Sequence, residues 1–201
     1  MRLIRKEIRM RINELFYSLQ GEGYYTGKAA VFVRLSGCNL RCSFCDTQHD
    51  SYKEYTNEDI LNEIADYPTR HLIFTGGEPG LQLTEKTVSF FKDHGYYIQV
   101  ETNGTFELPY GVDWITCSPK FEFCRHAELR LRHIHELKVV YDGNNDMTVY
   151  DAIKADHYEL QPCDMADKIR NVQIVQQTID YILFHPQWRL SLQTHKSLNI
   201  R

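Results

Sequence analysis

Residues 37–47 read Gly37-Cys38-Asn39-Leu40-Arg41-Cys42-Ser43-Phe44-Cys45-Asp46-Thr47, and their three cysteines organise the reading of the whole chain. The spacing is C-x3-C-x2-C. Disulfide partners three residues apart would need a strained loop and would leave one thiol odd, so pairing within the trio is a poor reading. Zinc is the stronger rival, because Cys loops with x2 spacing often hold it. A structural zinc site takes four protein ligands, however, and no second C-x2-C or H-x3-5-H pair follows. Cubane iron-sulfur clusters are usually held by four cysteines, so a compact trio leaves one iron for something other than protein.

Working outward, Ala29 to Leu35 (AAVFVRL) is rich in β-formers and delivers the chain directly into this loop, which puts a metal at a strand's carboxyl end. α/β folds build their sites there. Residues 12–18 read as an earlier strand running into the turn Gln20-Gly21-Glu22-Gly23. After the loop, Thr56 caps a helix with Ile60, Leu61, Ile64 and Ala65 on one face, and Pro68 lies beyond its end. His71 to Thr75 is a buried strand that meets Gly76-Gly77-Glu78-Pro79. A second helix over Thr84 to His94 stops at Gly95 and is followed by a strand ending in Glu101-Thr102-Asn103-Gly104.

Later strands are expected at Val112 to Cys117, His135 to Val140 and Tyr158 to Leu160, with a weaker helix at Met147 to Ala155. The segment Phe121 to Arg132 has no clear periodicity. Lys168 to Phe184 reads as the longest helix, with Val172, Val175, Ile179, Ile182 and Leu183 at helical spacing, and His185-Pro186 ends it. Trp188 to Gln193 alternates like a last strand. Strands alternating with helices imply a mainly parallel sheet. At 201 residues the chain falls short of the ~250 typical of a closed eight-unit barrel, so the expectation is a single domain, 1–201, built as a truncated, open partial (β/α) barrel.

Composition bounds the function. Hydrophobic residues at 42% and charged residues at 25% are ordinary globular usage, and no run approaches the ~20 apolar residues of a membrane span. Twenty-seven acidic against 23 basic residues argue against a nucleic-acid surface. The start, MRLIRKEIRMRI, lacks the apolar stretch of a secretory signal, so a cytoplasmic setting is expected and the six cysteines are expected to stay thiols. Cys117, Cys124 and Cys163 are scattered and read as small buried hydrophobes rather than a second metal site.

Gly76 and Gly77 allow close approach of a ligand to backbone, although a plain turn has the same composition. Polar clusters recur at three further strand ends: Glu101-Thr102-Asn103, Ser118-Pro119-Lys120 and Gln161-Pro162-Cys163-Asp164. Singly each is a capped turn. Repeated at one end of consecutive strands, they form the rim that a buried nucleoside needs to offset its desolvation.

The cysteine spacing, with Phe44 before the last cysteine and the Gly-Gly-Glu-Pro turn after the next strand, resembles the signature of the radical S-adenosylmethionine (SAM) superfamily. Leu19-Gln20-Gly21-Glu22-Gly23, Arg34, Cys45-Asp46-Thr47, Thr75, Glu101 to Gly104, Ser118 to Lys120, Gln161-Pro162 and the tail from Pro186-Gln187-Trp188-Arg189 to Leu192-Gln193-Thr194-His195-Lys196 narrow the resemblance to the 7-carboxy-7-deazaguanine synthases. That resemblance implies a radical ring contraction of 6-carboxy-5,6,7,8-tetrahydropterin to 7-carboxy-7-deazaguanine with loss of ammonia, on the route to queuosine.

It also implies roles. Cys38, Cys42 and Cys45 hold a 4Fe-4S cluster, and Phe44, Cys45, Asp46, Gly77, Ser118, Pro119, Lys120, Gln161, Pro162, Cys163 and Asp164 line SAM. Thr47 holds Mg2+, which keeps several waters and takes few protein ligands. Leu19, Gln20, Gly21, Arg34, Thr75 and Arg201 bind the pterin, Arg34 through a guanidinium fork that fits a carboxylate or ring acceptors, with a surface or rim ion pair as its alternative, and Arg201 through its terminal carboxylate. A longer C-terminus is therefore expected to weaken substrate binding. Glu78 reads as structural, since the superfamily uses the motif's main chain. Gln193 and His195 end the last strand and could face the site, with a hydrogen-bonded structural histidine as the alternative. Cys163 stands where relatives commonly have methionine, a soft-for-soft change. Flavodoxin or ferredoxin is the expected electron donor and a homodimer the expected assembly. An electron carrier, a zinc-stabilised module and a glycyl-radical activating enzyme are the rival readings.

Overall fold

The computed structural model describes residues 9–43, 45, 51–124 and 127–201. The strands are β1 (Arg9–Leu19), β2 (Ala29–Leu35), β3 (Lys53–Thr56), β4 (His71–Gly76), β5 (Tyr97–Thr102), β6 (Trp114–Cys117), β7 (Glu136–Tyr141), β8 (His157–Pro162) and β9 (Trp188–Leu190). The helices are α1 (Asn57–Ile64), α2 (Glu85–Asp93), α3 (Lys168–Phe184) and α4 (Thr194–Leu198). The strands form one sheet in the order β3-β1-β2-β4-β5-β6-β7-β8-β9. From β2 to β9 every pairing is parallel, whereas β1 pairs antiparallel with both β2 and β3. The sheet is mainly parallel and does not close, which is the open partial barrel expected from the strand-helix rhythm.

Successive side chains alternate between the two faces of a strand, and here the faces differ in chemistry. On one face Val31, Val33, Leu72, Phe74, Ile98 and Val100 pack with Ile60 and Ile64 of α1 and Val88 and Phe91 of α2. Further along, Leu137, Val139 and Leu160 pack with Met147, Tyr150 and Trp188, and Tyr181 and Ile182 of α3 cover them. The other face carries a small apolar cluster of Phe16, Ala30, Phe32 and Ile73, and beside it buried polar residues including Gln99, Thr116, Glu136, Lys138, Glu159 and Gln161.

Local signals set the helix starts. Thr56 and Asp59 make a reciprocal capping box at α1, and Thr84 caps α2 by accepting from the Thr87 amide. Asp167 accepts from the Ile169 and Arg170 amides at the start of α3.

Four expectations are corrected. β3 was not foreseen: Lys53–Thr56 is polar and becomes a strand by pairing with Arg9–Ile12. The helix expected at 147–155 is a single 3-10 turn, Met147–Tyr150, in which Asp146 takes the Thr148 amide and hydroxyl and the following amides bond three residues back. In α3 the fully buried positions are Ile174 and Thr178, whereas Val172 and Leu183 are exposed; the Thr178 hydroxyl returns to the Ile174 carbonyl, so its burial leaves no donor unmet. The last strand stops at Leu190, because Thr194 bonds the Gly21 carbonyl instead of the sheet, and Gln193 and His195 belong to the start of α4.

Candidate active site

The cysteine loop leaves β2 at the carboxyl end of the sheet and is braced from three sides. The Glu78 amide donates to the Gly37 carbonyl (2.9 Å) and the Gly77 amide to the Leu35 carbonyl (2.9 Å), so the turn after β4 lies flat against the start of the loop. A Cβ on Gly77 would stand 1.9 Å from the Gly37 carbonyl oxygen, which is why this position holds no side chain. From β5, the Asn103 amide group reaches Asn39 (3.1 Å) and the Cys38 sulfur (3.8 Å). Gln82 donates to the Ser36 carbonyl (2.8 Å) from the third side.

Glu78 is fully buried, and its carboxylate accepts from Thr102 (2.6 Å), the Asn103 amide (2.8 Å) and the Gly80 amide (2.8 Å). Three donors tie β4 to β5 beneath the loop and leave this carboxylate a strut. Burial raises its pKa, with those hydrogen bonds pulling the other way.

A cavity of about 280 Å³ opens where the parallel strands end. Cys38, Cys42 and Cys45 contribute to its wall together with Gly77, Ser118, Lys120, Gln161, Pro162, Cys163 and Asp164. Leu19, Gln20, Gly21, Arg34, Thr75 and Arg201 complete it from the β1-β2-β4 side. Pro119 is buried and contributes no wall. Phe44, Asp46 and Thr47, and with Thr47 the magnesium reading, lie outside the described residues. The Asp164 carboxyl, hydrogen-bonded by Lys196 first and then by the Ala166 amide and Asn171, is held down to about 2.

The donor set suits a cluster better than a single ion. One tetrahedral zinc would draw its thiolates to roughly 3.8 Å of one another, given arms of about 2.3 Å. Among the described residues, the group of His, Cys, Asp and Glu whose ligand atoms all lie within 4.8 Å of each other is His133, His135 and Asp156, ahead of β7 and β8, and not the trio. A cube of irons, whose terminal thiolates sit on different metals, spreads three thiolates wider than a single ion does. Burial raises the Cys38 thiol and, against the pull of Lys120, raises Cys42 to about 12, so loading a metal must displace protons.

Cys124 is not the isolated buried thiol expected. It is half-buried, with its sulfur 3.9 Å from that of Cys42. Cys117 and Cys163 are buried as expected.

Sequence reasoning also missed a buried charge centre. Lys138 on β7 donates to Glu22 (2.5 Å), whose other oxygen accepts from Gln193 (2.9 Å). Burial pulls the Lys138 pKa down, but Glu101, Glu22 and Glu136 outweigh it and push it up. Burial would raise Glu22, and Lys138, Gln193 and His195 together reverse that and lower it. Glu101 is held by Gln20 (2.6 Å) and Thr75 (3.1 Å), so its carboxylate is fixed in the cavity wall. The signal was present: Glu136-Leu-Lys138, Glu159-Leu-Gln161 and Gln99-Val-Glu101 alternate polar and apolar residues, where a parallel strand buried on both faces reads as continuously apolar.

The Radical SAM superfamily profile matches residues 32–120. A protein of Bacteroides thetaiotaomicron named 7-carboxy-7-deazaguanine synthase is 47% identical over 191 residues, covering 95% of this chain and 98% of that protein. A Bradyrhizobium diazoefficiens protein of the same name is 38% identical over 213 residues, covering 94% and 98%. The crystal structure of QueE from Escherichia coli superposes with a TM-score of 0.76 at 27% identity, covering 92% of this chain and 93% of that one.

Proposed function

Because the chain belongs to the 7-carboxy-7-deazaguanine synthase family of the radical SAM superfamily, we propose that it is the lyase converting 6-carboxy-5,6,7,8-tetrahydropterin to 7-carboxy-7-deazaguanine with release of ammonia. One observation carries the reading: residues far apart in sequence, among them Gln20, Arg34, Cys42, Gly77, Glu101, Lys120, Gln161 and His195, wall a single cavity at the carboxyl ends of the parallel strands. When bound, a reduced 4Fe-4S cluster and SAM supply a hydrogen-abstracting deoxyadenosyl radical, which is the hard chemistry the protein itself lacks.

In this reading Cys38, Cys42 and Cys45 would hold the 4Fe-4S cluster, and Gly77, Ser118, Lys120 and Gln161 to Asp164 would bind SAM. Glu101, held between Gln20 and Thr75, accepts from the N–H edge of the pterin's aminopyrimidinone ring. Arg34 pairs with the substrate carboxylate, and Lys138 keeps a positive charge beneath the ring. The main chain of Arg201 is brought to the cavity by the Ser18 hydroxyl, which donates to its carbonyl oxygen (2.6 Å). Glu101, Glu22 and Glu136 together hold the proton on Lys138 in the cavity wall.

Mg2+ at Thr47, a flavodoxin or ferredoxin as reductant, a homodimeric assembly and a cytoplasmic setting belong to the same reading. Among the described residues no helix is long and apolar enough to cross a membrane. Anaerobic turnover with carboxylated pterin, SAM, Mg2+ and a reductant tests it: 7-carboxy-7-deazaguanine and ammonia should form in equal amounts. Release of deoxyadenosine only in the presence of a glycyl-radical protein, with the pterin untouched, would place the chain with the activating enzymes instead.

A further inference from the structure

We propose that Cys124 donates a hydrogen bond to the Cys42 ligand sulfur and thereby raises the reduction potential of the cluster, an inference that rests on the reading of Cys42 as a cluster ligand. The two residues are 82 positions apart, yet their sulfurs stand 3.9 Å from each other. A turn following β6 carries Cys124 to this place: the Phe123 and Cys124 amides both bond the Lys120 carbonyl (3.1 and 2.8 Å), and the Cys124 carbonyl accepts from the Ala127 amide (3.1 Å). Main-chain bonds on both sides thus fix the backbone that carries the thiol.

With both sulfurs protonated, either one can be the donor. Metal binding settles the direction, because only a thiolate ligates iron and a thiolate has no proton to give. Cys42 then accepts and Cys124 donates. Cys124 is not itself a fourth ligand in this geometry. Each iron of a cube takes one terminal thiolate, and thiolates on different irons stand farther apart than these two sulfurs do. A donor at a ligand sulfur withdraws electron density and favours the reduced cluster, and hydrogen bonds to the sulfurs are among the levers that set iron-sulfur potentials.

The test uses anaerobically loaded parent protein, Cys124→Ala and Cys124→Ser, each titrated with dithionite and followed by electron paramagnetic resonance. Cys124→Ala should keep its four irons and show a midpoint potential more negative than the parent. Cys124→Ser restores an O–H donor and should move the potential back toward the parent value. A fully loaded Cys124→Ala protein with the parent's potential, or a Ser variant indistinguishable from Ala, overturns the proposal. Loss of iron in Cys124→Ala also overturns it, by making Cys124 a ligand or a structural brace. A parent protein that assembles no four-iron cluster fails at the earlier step, and the trio's role falls with it.

Discussion

At the residue scale, two positions turn single atoms into measurable consequences. Gly77 has the Gly37 carbonyl where its Cβ would be, so any side chain must push the turn after β4 away from the cysteine loop. Gly77→Ala is expected to retain the far-ultraviolet spectrum of the sheet while iron bound after anaerobic loading falls at least several-fold; normal iron content would show that the loop does not depend on this contact. Glu159 makes an opposite kind of statement. Its side chain is 2% exposed, and burial, reinforced by Glu136 and only partly offset by Arg189 and Lys138, raises its carboxyl to about 7. A carboxyl whose folded-state pKa is raised costs nothing while it is protonated in both states, below about pH 4.5. It costs progressively more until it is ionised in both, above about pH 7. Glu159→Gln removes that penalty, so it should stabilise the protein by roughly 2 kcal/mol at pH 8 and by little at pH 5. Thermal unfolding of both proteins at the two pH values decides it: an equal difference in Tm at both would mean that Glu159 is not the titrating group.

At the scale of elements, legibility followed the range of the interaction. The cap of α1 was readable because Thr56 and Asp59 are three residues apart, and β2 and β4 because their apolar runs are continuous. The rest depended on distant partners. Lys53–Thr56 became a strand only against β1, and the orientation of α3 was fixed by how Tyr181 and Ile182 meet β8 and β9, which left Val172 in solvent despite its apolar spacing. In the site, the polar strand ends were legible as a rim, whereas the Lys138-Glu22 pair spans 116 residues and no local pattern joins the two. Cys124 was unreadable for the same reason. The docking of α4 belongs to this scale and has its own prediction. A Cβ on Gly21 would lie 2.3 Å from His195 Nδ1 and 2.8 Å from its Cβ, so α4 itself must shift to admit one. Gly21→Ala should therefore raise the KM for the pterin about tenfold or more, with iron content and Tm close to the parent; an unchanged KM would detach α4 from substrate binding.

At the scale of the whole molecule, an open sheet with β3 at one edge and β9 at the other must be held across its gap by something other than strand pairing. The loop after β1 and the segment after β9 do this. The Gly23 amide donates to the Ser191 hydroxyl (2.9 Å), the Thr194 amide and hydroxyl both donate to the Gly21 carbonyl (2.9 Å each), Gln193 reaches Glu22, and Ser18 reaches Arg201. The cysteine loop, the Gly-Gly-Glu-Pro turn and the rim at 118–120 make none of these bonds and are braced by β4 and β5. Apart from Lys196, whose ammonium bonds the Asp164 carboxylate on the SAM side (2.8 Å), the molecule therefore divides into a cofactor side built into the parallel strands and a substrate side completed by the clasp. Removing residues 194–201 should separate them: four irons per chain and slow, pterin-independent release of deoxyadenosine are expected to persist, while formation of 7-carboxy-7-deazaguanine falls at least 100-fold, a loss of roughly 2.7 kcal/mol in transition-state stabilisation. Parallel loss of iron and of both activities would mean that the clasp holds the entire barrel together, and retention of pterin turnover would mean that the substrate is bound by the strands alone.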